Sequence, residues 1–133
     1  MEVDLHILYR LLRAVAALRS VIVYTPLSQQ YERQTGDWVD PHLGWRFPLA
    51  NIALRCAGLC GPGHQPILPA LVINDPEGQS DLPGRPGLGF WGLRSARGQV
   101  LMPDEPSEEA WIAMVGAVHR QVWPQDWDGL PPA

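Results

Sequence analysis

Val21-Ile22-Val23-Tyr24-Thr25-Pro26-Leu27-Ser28 is the stretch that decides the fold. Its short β-branched run reads as a strand, and Thr25-Pro26 behind it reads as the opening of a helix. Thr25 suits the N-cap, where its hydroxyl accepts from an orphan backbone N–H. Pro26 suits the first helical position, where no N–H is needed.

Helical spacing extends on both sides of this junction. Upstream, Leu5, Leu8, Leu12 and Val15 mark an amphipathic helix over residues 5–18, with Asp4 as its cap. The helix opened by Pro26 is expected over 26–34 and ends at Gly36. A third helix over 48–60 turns Leu49, Ile52, Ala53, Cys56 and Leu59 inward, which points Asn51 and Arg55 away from the core. Ile67-Leu68-Pro69-Ala70-Leu71-Val72-Ile73 reads as a strand, followed by a glycine- and proline-rich loop and a returning strand near Phe90-Trp91-Gly92-Leu93. Ser107 caps a last helix over 107–122, whose buried stripe is Trp111, Met114, Val115, Val118 and Val122. This order is that of an α+β winged helix-turn-helix with a long wing and an added C-terminal helix. The 133 residues form one domain, long enough to bury about two-thirds of the unfolded surface.

Charge bears on the choice of partner. The formal net charge is -4, whereas a phosphate-binding domain usually carries basic excess. The acidity is not evenly spread. Residues 1–60 hold six Arg against five acids, while residues 103–133 hold one Arg against six acids. The expected helix-turn-helix therefore lies in a near-neutral part of the chain, and Arg85, Arg94 and Arg97 make the wing a second basic locus. Met1-Glu2-Val3-Asp4 is acidic where a secretory signal has its basic region. The longest apolar runs are far short of the roughly 20 residues of a membrane span. A cytoplasmic protein with no membrane association is the expectation.

Three arrangements resemble chemical sites, and each has a simpler explanation. Cys56, Cys60, His64 and His42 supply zinc-ligand types, but C-x3-C-x3-H running off one helix is not a knuckle spacing, and Cys56 shares a face with Ile52 and Ala53. Gly87-Leu88-Gly89-Phe90-Trp91-Gly92 matches G-x-G-x-x-G in form only, because no helix pattern follows it to receive a phosphate. Glu108 and Glu109 pair as carboxylates, and their place in the positive first turn of a helix accounts for them. No nucleophile-and-base set has readable spacing. The reading is therefore non-enzymatic, with no cofactor and no metal.

The segment from about Leu5 to Phe90 resembles the winged-helix DNA-binding domain of O6-alkylguanine-DNA alkyltransferases and alkyltransferase-like proteins. Three places carry the resemblance. Leu8-Tyr9-Arg10-Leu11-Leu12-Arg13 leading into Val21–Ser28 is similar to the family's helix and its Val-Ile-x-Tyr-x-x-Leu-Ala motif, with Ser28 for the alanine. Arg46 stands like the arginine at the start of the family's recognition helix. Gln65-Pro66-Ile67-Leu68-Pro69-Ala70-Leu71-Val72 resembles the approach to its active-site strand. The family has Pro-Cys-His-Arg there. Here Ala70-Leu71-Val72 follow Pro69, so alkyl transfer is not implied. Carried over, Tyr24 would contact a backbone phosphate, Arg46 would reach into the base stack, and Asn51 and Arg55 would face the groove.

Two classes of function follow from these readings. The first is a binding module for DNA or a nucleoprotein complex, using Tyr24, Arg46, Asn51, Arg55, Arg85, Arg94 and Arg97. The second is a small phage or mobile-element inhibitor of a nucleic-acid-processing protein. It would use Trp38, Glu108, Glu109, Asp126 and Trp127 as an acidic, Trp-rich surface competing for sites built for phosphate. For the cysteines, elemental analysis of the purified protein is expected to find no stoichiometric zinc. About one zinc per chain, lost on Cys56→Ser, would reverse that reading.

Overall fold

The computed structural model describes residues 2–59 and 66–132 and is of α+β type. Helix α1 spans Leu5–Ala17, and the Asp4 carboxylate accepts from the N–H groups of His6 and Ile7 at its start. Its buried stripe is Leu8, Tyr9, Leu12 and Ala16; of the residues the periodicity marks, Leu8 and Leu12 are buried while Leu5 and Val15 are only half-buried. The helix ends in a Schellman-type turn. Arg19 takes a left-handed φ of 52°, and the Arg19 and Ser20 N–H groups close on the carbonyls of Ala16 and Val15.

Strand β1 holds only Ile22–Val23, and helix α2 follows at once over Tyr24–Thr35. Its N-cap is Val23, so Thr25 does not cap, and Thr25 and Pro26 both lie inside the first turn. Pro26 is tolerated there because first-turn N–H groups have no acceptor within the helix. The connection to helix α3 (Arg46–Cys56) is pinned by one buried hydroxyl. Ser28 Oγ donates to the Val39 carbonyl at 2.6 Å and accepts from the Trp45 indole at 2.9 Å. Gly44 is required in this tight loop, since a Cβ there would lie 2.4 Å from Val39. Trp45 is thereby sealed edge-on against Tyr31, with ring centroids 5.5 Å apart. Helix α3 begins two residues earlier than its spacing suggests, which makes Arg46 its first residue.

The run 67–73 departs from the expected strand. Leu68–Leu71 coil into a 3-10 turn, leaving only Val72–Ile73 as strand β2. The partner also differs: β2 pairs in parallel with β1, Ile22 opposite Val72 and Val23 opposite Ile73. The expected hairpin with residues 90–93 is not formed. Leu88–Phe90 is another 3-10 turn, and Leu93 hydrogen-bonds forward to Leu101 and Met102. Two causes act together. Pro69 has no N–H to give a ladder, and the buried apolar side chains of β2 are covered by helices rather than by a returning strand.

Helix α4 spans Glu108–Arg120, capped by Ser107 as expected. It packs on the 3-10 turn, where the Trp111 indole donates to the Ala70 carbonyl at 2.8 Å. The chain leaves helical geometry at Gln121, so Val122 is exposed rather than buried. Trp123 turns inward in its place, its indole donating to the Val118 carbonyl. The C-terminal segment then docks on α1 and α3 through Trp127 and Leu130.

Tyr9 ties α1 to this segment, its hydroxyl donating to the Pro124 carbonyl at 2.6 Å. Burial pushes the phenol from its usual 10 up to about 12. A folded-state value above the unfolded one means the contribution is whole below pH 10 and lost as pH rises toward 12. Denaturant titrations across that window are expected to show a flatter loss of stability for Tyr9→Phe than for the unaltered chain.

Candidate nucleic-acid interface

A cleft of about 460 Å³ opens where the first turns of α2 and α3 meet the loop after β2. Tyr24 and Arg46, far apart in sequence, both line it, with Pro69 and Phe90 among its apolar surfaces and His42 and Asn74 among its polar ones. No Asp or Glu is among the lining residues. The parallel β1–β2 pair brings these parts together, because it sets the start of α2 beside the residues that follow β2.

Tyr24 and Asn74 are each held by specific contacts. Tyr24 Oη accepts from the Gly87 N–H at 3.1 Å, which leaves the phenol hydrogen to be donated. Burial raises the Tyr24 pKa, partly offset by the Gly87 bond, so the group stays a neutral donor near pH 7. Asn74 staples the two ends of the 74–85 loop. Its N–H donates to Arg85, its carbonyl accepts from Gly84, and its side-chain amide donates to Leu82. Arg46 is exposed, and its stem lies over Gly89, where a Cβ would come within 3.2 Å of Arg46 Cγ. The glycine pair in Gly87-Leu88-Gly89 thus has a steric role unrelated to phosphate cradling.

The other arginines proposed from sequence do not join this site. Asn51 is exposed on α3 outside the cleft. Arg55 turns to the C-terminal segment rather than to a groove. Its guanidinium donates to the carbonyls of Leu130 (2.6 Å) and Pro131 (3.2 Å) and stacks on Trp127 at 4.0 Å. Arg85 pairs with Glu108 at 2.7 Å and lies over Trp111. Arg94 bonds to the Gly92 carbonyl and the Asp104 carboxylate, both at 2.8 Å, bracing the 92–104 excursion from within. Arg97 is exposed at the tip of that excursion.

The acidic, Trp-rich surface is likewise not assembled. Trp127 is buried between Tyr9 and Arg55, Glu108 is occupied by Arg85, and Trp38, Glu109 and Asp126 remain exposed on three different elements. Cys56 is buried, as its helical position suggests, while Cys60 and His64 fall outside the described residues. Among the described residues no group of three or more His, Cys, Asp or Glu side chains is placed to hold a metal ion. No helix among them is long and apolar enough to cross a membrane.

Sequence reasoning missed His42, Asn74 and Leu88 as residues of this cleft, and no local pattern marks them, because contacts between distant segments bring them there. Comparisons with protein-family models, with curated proteins and with solved structures find no match to this chain.

Because Arg55 makes two charge-assisted hydrogen bonds, Arg55→Ala is expected to lower stability by about 2 kcal/mol. The same change should free residues 123–132, visible as a red shift of Trp emission and faster proteolysis there.

Proposed function

We propose that the chain is a non-enzymatic, winged-helix-like module that binds duplex DNA, free or within a nucleoprotein complex. The observation that carries this reading is the convergence of Tyr24 and Arg46 on one carboxylate-free cleft. These are the two residues for which the alkyltransferase resemblance implies contact with phosphate and with the base stack. The succession of α1, β1, α2, α3 and β2 keeps the element order of that resemblance up to the wing. An arginine in a cleft whose lining holds no Asp or Glu supports this reading in a chain whose net charge is -4.

The cleft suits one unstacked base. Its volume falls in the range of small-molecule sites, and apolar walls with a few polar groups at fixed positions are what base recognition uses. Arg46 at the mouth would occupy the place in the stack that an extruded base vacates, its planar guanidinium stacking as a base does. Tyr24 would donate from its phenol, to phosphate or to an acceptor on the base. Ala70 offers no nucleophile where the alkyltransferases have cysteine, so the cleft would bind and release without reaction.

Electrophoretic mobility shift at two salt concentrations tests the reading. Complex formation at low salt is expected, falling with added salt. Arg46→Ala is expected to weaken it by about 1–3 kcal/mol if the side chain reads the stack, or to reduce the salt slope by about one if it contacts phosphate. No complex at low salt would remove this reading and leave the inhibitor of a nucleic-acid-processing protein.

A further inference from the structure

Resting on the DNA reading above, we propose that residues 130–132 are an autoinhibitory strap, which lifts from the outward face of α3 when that face enters a groove of the duplex. Leu49, Ile52, Ala53 and Cys56 turn the helix toward the core. The side away from them carries Asn51, then Arg55 four residues on, then Gly58 just past the helix end, positions that share one face at 3.6 residues per turn. Asn51 is exposed, but the far end of this face is covered by the chain's own C-terminal segment. The carbonyls of Leu130 and Pro131 accept from the Arg55 guanidinium at 2.6 and 3.2 Å. Pro131 also lies close over Gly58, where a Cβ would come within 3.0 Å of its ring. A helix seated in a groove presents its outward face to base edges and backbone. With the strap in place, only about the first two turns of α3 are open to such contact.

The strap is firmly anchored at one end and lightly held at the other. Trp127 and Leu130 are buried in the core, and the Leu130 N–H donates to the Trp127 carbonyl. Beyond Leu130 come Pro131, half-buried, and Pro132, exposed. Neither proline has an N–H, so this end brings no backbone donor to hold it down. Arg55 is the residue with a reason to let go. Its charge is set against two neutral carbonyls and the Trp127 ring. A phosphate oxygen carries a full charge, so exchanging the carbonyls for phosphate strengthens the bonds that Arg55 makes. Asp126 and Asp128 flank Trp127 and are exposed, Asp128 against His6. Their repulsion of phosphate acts over roughly 10 Å at about 0.1 M salt, which the freed Arg55 offsets. Closed, the strap both blocks the groove and keeps that cation occupied.

The test uses the full chain with two substitutions that loosen the strap without altering Arg55 or the cleft. Gly58→Ala sets a Cβ against Pro131, and Pro131→Gly removes the ring. Both are expected to keep nearly the wild-type melting temperature. Each should bind a short duplex about fivefold more tightly than wild type, with a salt slope steeper by about one, the signature of one added phosphate contact. Arg55→Gln added to either variant is expected to abolish both gains. In the wild-type chain, saturating duplex should speed hydrogen exchange of the Leu130 N–H, because Arg55 releases the Leu130 carbonyl. Duplex laid over a closed strap would slow that exchange instead. The exchange measurement needs no substitution, so it decides the matter if either variant fails to fold. Variants that bind no tighter than wild type, gains that survive Arg55→Gln, or unchanged or slower Leu130 exchange in the complex would overturn the strap while leaving DNA binding intact. Failure of the wild-type chain and both variants to bind any duplex at low salt would overturn both.

Discussion

Seven consecutive buried residues, Ile67 to Ile73, cross the centre of the molecule, and the rest of the structure answers their need for hydrogen-bond partners. A backbone so far from water requires acceptors and donors of its own. The first part finds them within itself, by coiling into a 3-10 turn in which the Ala70 N–H returns to Ile67. The Ala70 carbonyl takes the Trp111 indole, and the Ile67 N–H points at the Met114 sulfur. The last two residues pair with β1. Three helices, α1, α3 and α4, close over the apolar side chains. Burying them stabilises the fold by about 25 cal/mol per Å² of apolar surface removed from water.

From that segment the geometry of the cleft follows. Parallel pairing requires that β1 and β2 run side by side in one direction, so the helix after β1 and the loop after β2 leave the sheet at the same end. Tyr24 therefore meets Gly87, 63 residues later. The Ser28 hydroxyl performs a similar task for α3. By holding the Val39 carbonyl and the Trp45 indole at once, it folds the long 37–45 connection down and brings the start of α3 to the same opening. Leaving either partner buried and unpaired would cost about 1–3 kcal/mol, so this hydroxyl constrains where Arg46 stands.

The arginines show how tertiary structure redistributes a charge pattern. Read along the chain, they suggest a helix face and a basic wing. In the fold, the guanidiniums of Arg55 and Arg94 spend their donors on backbone carbonyls, and Arg85 spends its charge on Glu108. A planar fork with five donors suits the satisfaction of several carbonyls at a loop that lacks regular secondary structure, and this chain has many such loops. Arg46 stays exposed at the cleft, its aliphatic stem over Gly89 and its guanidinium 5.9 Å from the centre of the Phe47 ring.

Periodicity and capping chemistry by themselves determined the presence of the four helices, the caps of α1 and α4, Leu8 and Leu12 as inward residues of α1, most of the inward stripe of α3, and the strand-to-helix order at Val21–Ser28 though not its cap, because these depend on residues a few positions apart. The partner of the 67–73 run was beyond them. A short apolar run is equally compatible with a strand in a hairpin, a strand in a parallel pair and a 3-10 turn, and only the covering helices select among these. The end of α4 was misread for a related reason, since the helical spacing of Val122 competes with the docking of Trp123 behind it. Of the candidate site, Tyr24 and Arg46 were legible, one from a motif and one from its place before a helix. Their meeting, the enclosure of the cleft by Asn74 and the Gly87–Gly89 turn, and the exposure of Phe47 and Leu88 were decided by tertiary structure alone, because each depends on contacts between segments that are distant in the chain.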